Sequence, residues 1–403
     1  AAMAARARMY AARNGGAPAG TAVVWLFWVA VALAILIKGP VGPMAPGLAI
    51  LVLMIWDRRA AWLGQLRWWW GLIIVLAIVG PWAGAVTVAT DGGFWSQALG
   101  SDLAPKLMGG QESHGAPPGY HLLLTPILVF PMTLMLPAAV VAAWRFRREP
   151  GVRFAVAWLV PIWILFEFLP TNLPHYPLPA YGALAWLCAR AMVEPLGVVA
   201  RYLGAGLGAF VGLALAGGVA YLYALYGDTS DIGAAVLTAA LLAMSGLFGA
   251  VLLIRRRQRA ALMAALGIGI LAHAALAAVF VPRLDPLWLS TRLERTMADN
   301  RLLPRQGIAE APVAVAGFAE PSLVFALGTD TELYGPAEAA LAIAEGRPAI
   351  VEAREDAGFQ AALKARGGRA EEVAKVEGLN YSKGDPMTLR VYVAPDMDAR
   401  EMR

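Results

Sequence analysis

Nine apolar runs follow one another through the first 282 residues, at 21–37, 40–56, 68–89, 120–143, 154–169, 176–193, 202–226, 232–254 and 261–281. An α-helix crosses the hydrocarbon of a bilayer in about 20 residues, so runs of this length read as membrane spans. The second, fifth and sixth are short or interrupted by proline and are expected to be tilted, broken or partly re-entrant. The chain as a whole is 59% hydrophobic and 15% charged. Soluble domains sit near 45–50% apolar and 25% charged, so much of this surface must face lipid. Disorder, a collagen-like fibre and a disulfide-rich module are excluded on the same ground. The single cysteine, Cys188, leaves no intrachain disulfide and no thiolate metal cage.

The pattern changes after Pro282. Residues 283–403 hold 15 of the 33 Lys and Arg and 19 of the 28 Asp and Glu. Strand-like runs (PVAVAGF, SLVFALG, PAIVEA, TLRVYVA) alternate there with helical stretches at 336–346 and 355–366. The expected fold is therefore mainly α, a polytopic membrane protein of about nine helices with a small C-terminal α/β domain. The expected boundaries are 1–282 for the membrane part and 283–403 for the soluble part.

Orientation follows from the basic residues of the short loops. One set carries Arg6, Arg8, Arg13, Arg58, Arg59, Arg67, Arg145, Arg147, Arg148, Arg153, Arg190, Arg201, Arg255, Arg256, Arg257 and Arg259. The alternate set carries Lys38 and Lys106 alone. The arginine loops are expected in the cytoplasm, and nine crossings then put the C-terminal domain outside. The net charge of +5 is thus an arrangement of loops, and no nucleic-acid partner is expected. The opening AAMAARARMYAARNGG is like the cytoplasmic end of a helix and unlike a signal peptide, having no apolar core or cleavage site. It does not begin with Met, which suggests a missing upstream part.

The polar residues of the membrane part collect on the sparsely basic side. They are Lys38 in IKGPVGPMAP, then Asp91, Asp102, Lys106, Glu112, His114, Tyr120 and His121 in the 90–121 loop, and Asn172, His175 and Tyr176 in LPTNLPHYPLP. Lys38 ends an apolar helix. There a cation suits the helix C-terminus and snorkels to the interface, or it grips an anionic lipid head group. The 90–121 loop is too long and too rich in Trp, Gly and charge for a spacer. Its Glu112 and His114 are close enough in sequence to suggest a divalent metal, while a hydrogen-bonded structural histidine is the simpler reading. Glu167 lies near the outer end of a span, where a carboxylate is costly and therefore functional by default. His273, mid-helix, reads as an interhelical hydrogen-bonder.

KGPVGP after an apolar helix, a later GPW, then HGAPPGYHLLL and FP, then PTNLPHYPLPAYGALA resemble, in order and spacing, bacterial membrane glycosyltransferases of the aminoarabinose-transferase and protein-mannosyltransferase type (the GT-C superfamily). The resemblance covers residues 1–195 closely, later helices by topology, and the tail through AEPSLVFALGT. It implies about thirteen helices, a periplasmic C-terminal domain and residence in the bacterial inner membrane. It also implies a polyprenyl-phosphate sugar donor and an acceptor such as lipid A, another glycan or protein. Nine helices match the last nine of that set. The family's catalytic acid lies in its first outer loop, absent here, so the resemblance implies an N-terminally truncated chain without its base. Within this chain Asp91 and Asp102 are the nearest carboxylates. Lys38, Lys106, His175 and Tyr176 are expected at the donor phosphate. Glu112, His114, Tyr120, His121, Glu167 and Asn172 are expected in the substrate loops. The family commonly has Thr-Lys before Leu-Pro-His-Tyr, where this chain has Thr171-Asn172. Two rival classes are a transporter or flippase of a lipid-linked glycan, which needs matched access from both sides, and a structural scaffold, which leaves the Trp/Gly/His loop without a role.

Overall fold

The structure is a computed structural model and describes residues 1–15, 19–58, 61–103, 117–170, 172–304, 312–382 and 384–395. Among the described residues eleven helices carry the apolar sequence: α1 (Ala2–Arg13), α2 (Thr21–Lys38), α3 (Val41–Asp57), α4 (Trp68–Ala89), α5 (Tyr120–Leu128), α6 (Leu136–Arg145), α7 (Pro150–Phe168), α8 (Leu178–Ala191), α9 (Val198–Tyr226), α10 (Ile232–Ile254) and α11 (Gln258–Ala275). Among the described residues six helical segments are long and apolar enough to cross a membrane, and a seventh if a bent pair counts as one span. The chain is a multi-pass, mainly helical membrane protein. The run expected as one helix over 120–143 is that pair, α5 and α6, bent by 115°. Pro131 removes a backbone donor at the bend itself, while Pro126 is carried inside α5 and Pro137 stands in the first turn of α6. The run at 176–193 yields only the 14 residues of α8, because Pro174 and Pro177 delay its start, while Pro179 is accommodated in its first turn.

Two compact units emerge: residues 1–217 with 239–272, and residues 218–238 with 273–403. In the first, α9 presents Gly204, Gly208 and Gly212 at four-residue spacing, hence on one face. Lipid offers no hydrophobic gain between helices, so close backbone approach through small residues supplies the packing. A Cβ on Gly204 would lie 2.2 Å from the Leu134 carbonyl oxygen, and one on Gly212 would lie 2.9 Å from that of Leu242. Across the contact, a Cβ on Gly246 would meet the Gly208 carbonyl oxygen at 2.5 Å. Gly246→Ala should therefore push α9 and α10 apart and lower stability by about 1–3 kcal/mol. Thermal unfolding in detergent measures it, and an unchanged midpoint would mean that the helices are not held at this distance.

The second unit contains one five-stranded sheet in the order β2-β1-β3-β5-β4. Its strands are β1 (Ala314–Ala316), β2 (Glu332–Tyr334), β3 (Ala349–Glu352), β4 (Glu371–Asn380) and β5 (Asp385–Val393). β1 pairs parallel with β2 and β3, while β5 pairs antiparallel with β3 and β4. Helices α12 (Leu289–Asp299), α13 (Pro321–Leu327), α14 (Pro336–Ala344) and α15 (Asp356–Ala365) accompany it. SLVFALG, expected as a strand, is helix α13. Pro321 fits the first helical turn, and Leu323, Ala326 and Leu327 recur at helical spacing and are all buried.

Candidate functional site

The 172–177 segment is where several expected residues meet. Gly39, with φ +54, ends α2 and frees Lys38 to stand exposed at the helix terminus. The Lys38 Nζ lies 5.8 Å from the centroid of the Tyr176 ring, a cation–π distance. Tyr176 is held from below by Phe166 of α7, with ring centroids 5.3 Å apart. His175 meets Tyr176 edge-on at 5.2 Å and is itself exposed. Partial burial, and second the charge of Lys38, hold the His175 imidazole below its ordinary value. His175 is therefore neutral at neutral pH and can donate or accept one hydrogen bond, while Lys38 supplies the positive charge. The titration midpoint of His175, followed by its ring proton resonances, should rise in Lys38→Met, since a like charge is removed. A fall or no change would separate the two side chains.

Beneath this mouth lies a second constellation. His121, at the start of α5, is fully buried. Its Nδ1 is 3.1 Å from Glu167 Oε2, and its Nε2 is 3.1 Å from the Leu173 carbonyl oxygen. A carbonyl can only accept, which places a proton on Nε2. Glu167, at the end of α7, also accepts from the backbone N–H of Gly119 and, at 3.3 Å, from that of His121. The pair thus fastens three chain segments: the entry to α5, the end of α7 and the 172–177 loop with His175 and Tyr176. Tyr120 packs edge-on against His121 at 5.1 Å, and Asn172 is buried.

The other expected residues stand apart or outside. Asp91 is exposed, with φ +47, in the turn after α4. Neither of the two groupings includes it. Asp102 has its backbone in the helical turn Ser96–Leu103, and its side chain lies outside the described residues, as do Lys106, Glu112 and His114 altogether. Among the described residues no three of His, Cys, Asp and Glu come together as metal ligands would. The sequence reading missed the Leu173 carbonyl and the Gly119 N–H as partners. No side-chain motif marks backbone groups, and only the proline spacing hinted that the loop backbone was free of a helix.

A lysine and an aromatic–imidazole pair stand together at one mouth of a helical bundle whose fold has counterparts among solved membrane-protein structures. The structure superposes on that of ArnT from Cupriavidus metallidurans bound to undecaprenyl phosphate with a TM-score of 0.65, covering 95% of this chain and 70% of that one at 19% identity. The apo structure of the same protein gives 0.66 over 97% and 72% at 18% identity. In sequence, the chain is 32% identical over 184 residues to undecaprenyl phosphate-α-4-amino-4-deoxy-L-arabinose arabinosyl transferase 2 of Pseudomonas fluorescens (strain Pf0-1), covering 45% of this chain and 32% of the relative. The similarly named transferase of Shewanella sediminis is 26% identical over 164 residues, covering 40% and 30%. The match spans about a third of the length of these curated relatives. No family model matches the chain. The resemblance drawn from the four motifs is borne out.

Proposed function

We propose that the chain serves a membrane glycosyltransferase that moves a sugar, such as 4-amino-4-deoxy-L-arabinose, from a polyprenyl-phosphate carrier to lipid A or another acceptor at the outer face of the bacterial inner membrane. The observation that carries this reading is Lys38 standing at the Tyr176 ring with His175 beside it. The likeness to transferases named for undecaprenyl-phosphate aminoarabinose supports it. When the glycosidic bond breaks, negative charge grows on the carrier phosphate. A lysine and a neutral imidazole already oriented at that plane stabilise the charge without reorganising. The sugar passes through an oxocarbenium-like state while a carboxylate takes the acceptor's proton. No residue is assigned to that step; Asp91 and Asp102 are the nearest carboxylates within this chain, and Lys106 is proposed as a further phosphate ligand. Glu112, His114, Tyr120, His121, Glu167 and Asn172 shape the substrate loops. Any divalent metal would fall to Glu112 and His114.

Nine spans, a membrane part over 1–282 and a periplasmic α/β domain over 283–403 complete the proposal. Cysteines placed at Asp102 and Ala337 should react with an impermeant thiol reagent in intact spheroplasts, and one at Gln258 should not. Protection at Ala337 would reverse the orientation. The chemistry is tested with the protein expressed from its own gene, purified in detergent, and a donor labelled separately in sugar and lipid. A transferase parts the two labels when acceptor is added. A flippase leaves them joined, and joined labels would overturn the proposal.

A further inference from the structure

The turn between α10 and α11 carries Arg255, Arg256, Arg257 and Arg259, and residues 239–275 contain no Asp or Glu. Among the described residues these four guanidiniums have no carboxylate partner. Arg153 and Arg190, by contrast, pair with Asp57 and Glu149, each at 2.7 Å. The positive-inside tendency accounts for basic residues on one side of the membrane, but not for their placement within this turn.

One placement is strained in its backbone, and a second, cations at the start of α11, is one that an anion would offset. Arg256, two residues past the end of α10, has φ +61, while its N–H reaches the Leu253 carbonyl at 3.0 Å and that of Arg257 reaches Leu252 at 3.0 Å. This is a Schellman closure, and its left-handed position favours glycine. Arg257 and Arg259 flank the first residue of α11. The N-terminus of a helix is its positive end, so cations there are repelled and an anion is welcomed.

A cavity of about 400 Å³ opens at this point. Arg256, Arg257 and Arg259 line one side, and Met192, Val193 and Pro195 give it an apolar wall. Gln258 ties that wall to the turn. Its Nε2 donates to the carbonyls of Met192 at 3.0 Å and Glu194 at 2.6 Å, and its Oε1 accepts from the Leu196 N–H at 3.2 Å. The turn joins two apolar spans, so the cavity lies at head-group depth.

We propose that this turn is a binding site for the phosphodiester of an anionic phospholipid, gripped by Arg256, Arg257 and Arg259 at the N-terminus of α11 with acyl chains against the Met192–Pro195 wall. Basic pockets between membrane helices take such head groups, each arginine adding a comparable increment of affinity. The site needs α10 and α11 to span the bilayer and is independent of the sugar-transfer reading.

The test uses the full chain, purified and delipidated in a nonionic detergent, with bound lipid counted by native mass spectrometry. Phosphatidylglycerol should be retained at least about tenfold better than phosphatidylcholine, and inorganic phosphate should not displace it. Arg256→Gly, Arg257→Gln and Arg259→Gln should each weaken retention about fivefold, and together about a hundredfold. Arg148→Gln, an exposed arginine elsewhere, should leave it unchanged. Arg256→Gly should unfold no earlier than the parent, because glycine suits the left-handed backbone, and this separates lost binding from lost folding. Equal retention of the two lipids, displacement by inorganic phosphate, wild-type binding by the triple variant, or an equal loss in Arg148→Gln would each overturn the proposal.

Discussion

Glu167→Ala is expected to destabilise the protein by about 3–5 kcal/mol, the cost of removing one partner from a buried ionisable pair. The carboxylate is 11% exposed and His121 is not exposed at all, so water replaces little of what is lost. The N–H groups of Gly119 and His121 lose their acceptor in the same change. Glu167→Gln keeps an acceptor oxygen for those donors and should cost less, about 1–2 kcal/mol. Unfolding in detergent, followed by tryptophan fluorescence, reads both. An alanine variant as stable as the parent would mean that the carboxylate is not what fastens the three segments. The functional consequence concerns position. The Leu173 carbonyl held by His121 is two residues from His175, so a loosened pair lets the imidazole and the Tyr176 ring drift from Lys38.

Lys38→Ala is expected to weaken binding of undecaprenyl phosphate ten- to a hundredfold. A charge-assisted contact to phosphate contributes about 1.5–3 kcal/mol, which is that range of affinity. Folding should survive, since Lys38 is exposed and its contact with the Tyr176 ring contributes only about 0.5–1 kcal/mol at such a site. Lys38→Arg should rescue in part, because a planar fork replaces a compact ammonium. Lipid titration by native mass spectrometry, alongside a melting curve, separates the outcomes. Loss of folded protein would return Lys38 to a helix-terminus role, and unchanged lipid binding would remove it from the site.

What the sequence made legible was mostly what depends on local composition. Long apolar runs marked the helices that are apolar enough to cross a membrane, and strand-like runs marked part of the sheet. β1, β3 and β5 coincide with three of the strand-like runs. SLVFALG misled because a short apolar run suits a buried helix as well as a strand, and Pro321 was the deciding residue. β4 (Glu371–Asn380) went unread because Glu371, Glu372, Lys375 and Glu377 face water and hide the alternation. The glycine stripe of α9 went unread, because four-residue spacing acquires meaning only from the partner helix.

The site divides in the same way. Lys38, His175 and Tyr176 stood out because each sits in a proline- or glycine-broken motif at the end of a span, and the fold brings the three side chains together. The pairing of His121 with Glu167 joins residues 46 apart, and nothing local in either motif points to the other. Its partners are also partly backbone atoms, which carry no side-chain signature.

The most direct measurement is an experimental structure of the protein, expressed from its own gene, with undecaprenyl phosphate bound. The phosphate should lie within hydrogen-bonding reach of Lys38 Nζ, on the side of the Tyr176 ring and the 172–177 loop, with the His121–Glu167 pair intact beneath it. A phosphate seated elsewhere, with Lys38 and His175 still facing solvent, would contradict the assignment of this mouth as the donor site.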